Sequence, residues 1–330
     1  MQRPVVVVTN RAFPDTLDLL SERCTVRSHH ADEPPPRDEV LRRTADADAI
    51  VAFMPDRIDD AFLAACPRLR IVSCALKGYD NFDVDACTRR GVWVSIVPDL
   101  LTEPTAELAI GLAIGLGRHV LAADRVVREG RFAGWRPTFY GRSLDGAKVA
   151  ILGAGRVGRA IARKLAGFQC TVRLVDPVPT PDLPPNARMA TPEDALPVAD
   201  FVFVATPLAE ATTHLVDEAW LERLKPGALL VNPARGSVVD ESAVAAALAS
   251  GRLGGYAADV FECEDWARAD RPASIHPALV EDPARTLFTT HIGSAVTEVR
   301  RAIERDAALN VLEALAGERP HGAINEVRAA

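Results

Sequence analysis

KVAILGAGRVGRAIARKLAGFQCTVRLVD, residues 148–176, is a complete strand–turn–helix–strand unit. Val149, Ile151 and Leu152 make a short apolar run suited to a buried parallel strand. Gly153, Gly155 and Gly158 then supply G-x-G-x-x-G where a helix must begin. The first glycine permits the tight turn, the second lets the backbone approach a pyrophosphate, and the third lets the helix pack on the strand. A helix opening here aims free N–H groups and its positive dipole end at the phosphates. Thr171, Val172 and Leu174 build the next strand, which ends at Asp176, 18 residues after the last glycine. There the fold places an acceptor for the adenosine ribose hydroxyls. The same carboxylate would repel the 2′ phosphate of NADP, and Pro177 brings no cation beside it, so the pattern predicts NAD.

Short apolar runs alternate with helical patterns along the 330 residues, which indicates an α/β protein of two domains with mostly parallel sheets. Strands are expected at Val5–Thr9, Ala49–Phe53, Ile71–Ala75 and Val92–Ile96, with helices at Pro14–Ser21, Asp38–Arg43 and Asp59–Ala65. No glycine fingerprint follows Val5–Thr9, so the dinucleotide belongs to the other half. Pro104 fits the first turn of one long helix running through Ala109, Leu112, Leu116 and Val120. Beyond the fingerprint, strands are expected at Phe201–Ala205, Ala228–Asn232, Tyr256–Val260 and Leu287–Thr289, and Pro177–Pro185 reads as a loop. Val299, Ile303, Ala307, Val311 and Leu315 trace one apolar helix face. Returning that helix to the first half gives a substrate domain of residues 1–99 and 294–330 around an inserted nucleotide domain of residues 100–293.

The net charge of −7 argues against a nucleic-acid surface. No apolar run is long enough to span a membrane, and the N-terminus lacks a signal-peptide core. Six scattered cysteines without C-x-x-C pairs read as buried free thiols in a reducing cytoplasm. His29, His30, His119, His214, His276 and His321 have no motif context and read as surface or helix-terminal groups. No metal-ligand spacing appears.

Three segments at expected strand ends carry unusual polar residues: Arg235 after the strand LLVN, Asp259 ending the strand YAAD with Glu264 a few residues later, and His291 after LFT. Ligands of open α/β sheets bind beyond the carboxyl ends of the strands, so these segments should converge. Arginine suits an anionic substrate, and histidine suits proton transfer near neutral pH. A glutamate on the other ring nitrogen would fix the histidine tautomer.

GAGRVG, the NPARGSVVDE stretch, Glu264 and TTHIGS together resemble the D-2-hydroxyacid dehydrogenase superfamily. Within it, AFMPDRIDDAFLAACP, CALKGYDNFDVDACTRRGVW, VPDLLTEPTAELAIG and GGYAADVFECEDWARADRP resemble the phosphite dehydrogenases nearly end to end. That resemblance implies two Rossmann-like domains with NAD in the cleft and a homodimer joined through the nucleotide domains. It implies oxidation of phosphite to phosphate, with water as nucleophile and nicotinamide as hydride acceptor. Arg235, Glu264 and His291 match the catalytic set. Lys77 matches a substrate-binding lysine, and Met54, Trp135, Tyr140 and Ser294 match residues around the substrate. Gly153, Gly155, Arg156, Val157, Gly158, Asp176, Pro207, Ala234 and Asp259 match cofactor contacts. Asp176 stands where a longer glutamate occurs in such enzymes, and Thr290 where proline is common. Two cations, Lys77 and Arg235, suit a compact dianion such as phosphite. The alternatives are an ordinary D-2-hydroxyacid dehydrogenase and an NAD-sensing corepressor, the latter disfavoured by the lack of a basic tail.

Overall fold

The computed structural model describes residues 3–327. Residues 1–2 and 328–330, which the expected substrate domain includes, lie outside that range. The chain folds as two compact α/β units: Met1–Leu101 with Trp266–Ala269 and Ala295–Ala330, and Thr102–Asp265 with Asp270–Ser294.

In the first unit, β1 (Val5–Val8), β2 (Thr25–Ser28), β3 (Ala49–Ala52), β4 (Ile71–Cys74) and β5 (Trp93–Ser95) form a parallel sheet in the order β2-β1-β3-β4-β5. Helices α1 (Pro14–Ser21), α2 (Arg37–Thr44), α3 (Asp60–Ala65) and α4 (Val84–Arg89) make the crossovers. β2 and α4 were not read from the sequence: β2 is half-exposed at the sheet edge and lacks an apolar run. The α3 and α4 starts have a local cause, since Asp59 and Asp83 accept from the amides of Phe62 and Ala86 as N-caps.

The second unit begins with α5 (Thr102–Gly117) and α6 (Val120–Arg128), where one helix was expected. The two are bent by 66°. The break has a clear origin: Arg142 N donates to the Gly117 carbonyl at 2.7 Å, and His119 turns into the left-handed region at φ 53°. No single helix among the described residues is long and apolar enough to cross a membrane.

There follow β6 (Lys148–Leu152), α7 (Arg156–Leu165), β7 (Thr171–Val175), β8 (Ala187–Met189), α8 (Pro192–Ala195), β9 (Phe201–Val204) and α9 (Glu218–Glu222). β10 (Ala228–Asn232), α10 (Glu241–Ala249), β11 (Leu253–Ala258), α11 (Pro277–Val280) and β12 (Thr286–Phe288) complete the unit. Its seven strands are parallel in the order β12-β11-β10-β9-β6-β7-β8. β11 starts three residues earlier than its apolar run suggested, because Gly254 and Gly255 are strand residues. A side chain at Gly255 would press on Leu116 of α5 and Leu229 of β10, both within 3.1 Å of a Cβ placed there. The last helix, α12 (Thr297–Ala316), packs on β3, β4 and α1 of the first unit through Ile303, Ala307, Val311 and Ala314.

Cys24, Cys66, Cys74, Cys87 and Cys170 are buried free thiols and Cys263 is half-buried. Burial pushes the Cys66 and Cys170 thiols up to about 11 and Cys87 to about 12, so these groups stay protonated and serve packing.

In the first sheet the strand order reverses between β1 and β3, and a buried acid sits at that point. Asp56 is 6% exposed, and its Oδ2 accepts from Phe53 N at 2.7 Å and Thr9 Oγ1 at 2.5 Å. Burial is the dominant influence and raises its carboxyl to about 6, opposed by those two donors. An acid with a raised folded pKa stabilises below its unfolded value, and that stability is lost as the pH rises through the folded one. The loss falls between about pH 4 and about pH 6 and amounts to roughly 3 kcal/mol at most. Asp56→Asn keeps an oxygen for both donors but cannot ionise. Urea midpoints compared with the parent across that range should fall less steeply with pH, and above it the variant should be the more stable. Parallel pH profiles for the two proteins would show that Asp56 does not carry this cost.

Candidate active site

In the second sheet the strand order reverses between β6 and β9, the point where an open parallel sheet offers a crevice beyond its carboxyl ends. The fingerprint loop sits there, and its glycines have different reasons to exist. Gly153 has φ 100°, and a Cβ on it would lie 2.5 Å from the Ala205 carbonyl of the β9 loop. A Cβ on Gly158 would lie 2.1 Å from the Gly153 carbonyl, so α7 can approach its strand only with glycine there. At Gly155, the N-cap of α7, a Cβ would meet no protein atom within 4 Å. No packing demand explains that glycine, whereas a bare backbone facing a pyrophosphate does, so the residues present fit NAD. Arg156 and Val157 occupy the first turn of α7.

Asp176 follows β7 and does structural work as well. Its Oδ2 accepts from Ala154 N and its Oδ1 from Val178 N, both at 2.8 Å. This acid thus holds the fingerprint loop. Pro207 lies in the β9 loop, where its carbonyl accepts from Thr212 Oγ1 at 2.7 Å. Ala234 N donates to Asn232 Oδ1 at 3.1 Å, and Asn232 Nδ2 donates to the Arg235 carbonyl at 2.9 Å. Fully buried Asn232 therefore shapes the turn that presents Arg235.

Asp259, 1% exposed, directly follows β11. Its Oδ1 accepts from Thr289 Oγ1 at 2.6 Å and Ile292 N at 2.8 Å, and its Oδ2 from Gly293 N at 2.8 Å. His291 N donates to the Asp259 carbonyl at 2.8 Å. These bonds fix the 289–293 loop and hold His291 at φ 57°, an uncommon conformation for a residue with a Cβ. Glu264 lies in a 3-10 turn, Glu262–Glu264. Its Oε1 accepts from Phe261 N at 2.9 Å, which aims Oε2 at His291 Nδ1, 2.8 Å away. Both side chains are half-buried. The carboxylate fixes the proton on Nδ1 in the neutral ring and leaves Nε2 to exchange one.

In the first unit Lys77 and Met54 lie just beyond the carboxyl ends of β4 and β3, and both are half-buried. Asn81 Nδ2 ties the two loops by donating to the Met54 carbonyl at 3.0 Å. A further cation was not read from the sequence. Arg300 of α12 donates to the Ala75 carbonyl at 3.1 Å, stands 6.0 Å from the Phe53 ring centre and pairs with Glu304 at 3.6 Å. Burial lowers its pKa. On α12 it looks like an ordinary surface arginine until the helix is docked.

Trp135 and Tyr140, expected around the substrate, are 83% and 78% exposed on an irregular segment after α6. Ser294 ends the second unit and is half-buried. Two of the histidines read as surface or helix-terminal groups make side-chain pairs, His321 while exposed and His214 while half-buried. His214 Nε2 lies 2.8 Å from Glu262 Oε2, and His321 bonds Glu313 and Asp306.

Residues 110–293 match the family model described as D-isomer specific 2-hydroxyacid dehydrogenase, NAD binding domain. A glyoxylate reductase from Thermofilum pendens is 35% identical, over 99% of this chain and 96% of its own length. Among solved structures, the TT0316 protein of Thermus thermophilus superposes with a TM-score of 0.89 at 32% identity, covering 97% of this chain and all of its own. The NADPH-dependent glyoxylate/hydroxypyruvate reductase of Sinorhizobium meliloti, crystallised with NADP and malonate, gives 0.85 at 28% identity over the full length of both. With its NAD-binding domain matched and its whole length covered by such relatives, the chain belongs to the D-isomer specific 2-hydroxyacid dehydrogenase family.

Proposed function

We propose that this protein is an NAD-dependent D-2-hydroxyacid dehydrogenase that works as a reductase of small 2-oxo acids such as glyoxylate. The His291–Glu264 pair at 2.8 Å carries this reading, because it stands on two strand ends beside the Arg235 turn. Bound NAD supplies the hydride carrier. Arg235 holds the substrate carboxylate, and Lys77 adds a second cation for it. His291 passes the Nε2 proton to the carbonyl oxygen in reduction and takes it from the hydroxyl in oxidation. Glu264 stabilises the imidazolium that forms in the oxidative direction. Asp259 keeps His291 in place, and one of its oxygens also serves the nicotinamide amide. Met54 and Ser294 border the substrate, whereas Trp135 and Tyr140, expected beside it, stand exposed after α6.

Oxidation of phosphite is the second reading, supported by Lys77 and by the end-to-end likeness of the CALKGYDNFD and GGYAADVFECEDWARADRP stretches to phosphite dehydrogenases. There His291 would take its proton from the water that attacks phosphorus, and Lys77 and Arg235 would hold the oxyanion. NADH absorbance with glyoxylate, with D-glycerate and with phosphite separates the readings. Turnover of phosphite alone would replace the first by the second, and tight NADH binding without turnover of any of them would point to an NAD-sensing binding protein. The unbridged cysteines support a reducing, cytoplasmic location.

The exposed Phe132, Trp135 and Tyr140 after α6 support a homodimer formed through the nucleotide domains. Light scattering should give twice the chain mass, and Trp135→Ser with Tyr140→Ser should shift it toward the monomer. A parent protein that is monomeric at assay concentration would dismiss the dimer.

Asp176 favours NAD over NADP through like-charge repulsion. Since it also holds Ala154 N, Asp176→Ala should raise the KM for NAD while narrowing the preference for NAD over NADP. Equal use of both cofactors by the parent enzyme would refute this role.

Loss of the proton-exchanging ring in His291→Asn should lower kcat by ~10²–10⁴-fold with NADH binding retained. Lys77→Ala should lower kcat/KM by roughly one to two orders of magnitude, the size of a lost charge-assisted contact. Near-parent turnover by the His291 variant would remove the histidine from the mechanism.

A further inference from the structure

Beneath the Arg235 and Glu264 turns lies a polar network that the proposed chemistry does not use. Glu241, at the start of α10, is 3% exposed and Glu262 is 7% exposed. Each carboxylate accepts from the other residue's backbone: Glu241 N to Glu262 Oε1 and Glu262 N to Glu241 Oε1, both at 3.0 Å. The remaining oxygens are also engaged. Glu241 Oε2 accepts from His276 N at 2.8 Å, and Glu262 Oε2 lies 2.8 Å from His214 Nε2. His214 returns to the Arg235 turn through its own backbone, donating to the Ser237 carbonyl at 2.7 Å. Ser237 N in turn donates to Asp265 Oδ2 at 2.6 Å.

Two carboxylates buried side by side are costly, and apolar packing would be cheaper if only cohesion were needed. Geometry gives them a use. A Cβ on Gly236 would sit 1.9 Å from the Phe261 carbonyl carbon and 2.2 Å from Glu262 N, so the two turns touch backbone to backbone. Such a bare contact resists approach but does not prevent sliding. The crossed glutamate–amide bonds do, because each is directional and joins the start of α10, just after the Arg235 turn, to the Glu264 turn. Glu262 precedes by two residues the Glu264 that orients His291, and Glu241 follows the Arg235 turn.

We propose that His214, Glu262 and Glu241 are positioning residues that lock the Arg235 turn and the Glu264 turn in one register, and thereby hold Glu264 on His291. This deepens the proposed function and rests on Glu264 and His291 being its catalytic pair.

Variants of the full-length protein test it in conservative and disruptive pairs. His214→Gln retains a side-chain N–H for Glu262, whereas His214→Leu does not. Glu262→Gln retains an oxygen for the Glu241 amide, whereas Glu262→Ala does not. The readouts are kcat and KM separately, NADH affinity, and the imidazole ¹⁵N shifts of His291, which report the proton on Nδ1 without any substrate. His214→Leu and Glu262→Ala should lower kcat ~10-fold or more, since a misplacement on the order of 1 Å costs up to ~10²-fold. NADH affinity should stay within about threefold of the parent, because the pyrophosphate site is separate, and the Nδ1–H signature should be lost. Both glutamine variants should recover most of kcat and that signature. If Glu262→Ala does not fold, the half-exposed His214 pair decides the matter alone. Parent-like kcat and an intact Nδ1–H signature in folded His214→Leu would overturn the inference, as would glutamine variants no better than the disruptive ones. His291→Asn run alongside separates the two ideas: full turnover by that variant defeats the catalytic reading, while the ¹⁵N signature still judges the positioning.

Discussion

The Asp259 carboxylate is the interaction on which the rest of the site depends. It gathers Thr289, Ile292 and Gly293 onto two oxygens, while the Asp259 backbone receives His291 N and donates to the Asn232 carbonyl at 3.0 Å. One residue thereby joins the ends of β10, β11 and β12. Holding His291 at a positive φ costs roughly 1–3 kcal/mol. Each charge-assisted bond to Asp259 contributes about 1.5–3 kcal/mol, so the clamp outweighs the strain.

The Glu264–His291 pair builds on that clamp. Glu264 is fixed at one end by Phe261 N and directs its free oxygen to the imidazole. Both bonds are made within the protein itself, so the histidine tautomer is set by the fold. The parallel sheet makes this possible. Strands running in one direction deliver every loop to the same edge, where groups from distant parts of the chain need only short turns to meet.

The elements carried by strong local patterns were legible in the sequence. The fingerprint, the strand LLVN and the apolar face of α12 stand where the sequence put them, because burial on both faces or along one stripe leaves a plain periodic record. What escaped had weaker or nonlocal causes. β2 and β8 are short and partly exposed, and their pairing comes from neighbouring strands. The break between α5 and α6 depends on Arg142, a residue that returns to Gly117 from outside the helix. His214 is 48 residues from Glu262, and Arg300 is 225 from Ala75, so nothing in their local sequence announces either contact. Asp259 was visible as a polar residue at a strand end, but its role as a clamp required the loop it holds.

Proton transfer by a histidine is indifferent to the atom that the oxygen is bonded to. A histidine with a fixed tautomer can take a proton from an alcohol or from water, so the His291–Glu264 geometry serves both carbon and phosphorus chemistry. Arg235 can hold a carboxylate or an oxyanion equally well. Discrimination must come from groups that sense the remainder of the substrate: a second cation such as Lys77 favours a dianion, whereas apolar surface such as Met54 favours a carbon chain. This chain has both residues beyond the ends of adjacent strands, β4 and β3, with Asn81 holding the Met54 loop. Family membership therefore sets the reaction type, while the choice of anion belongs to the proposal.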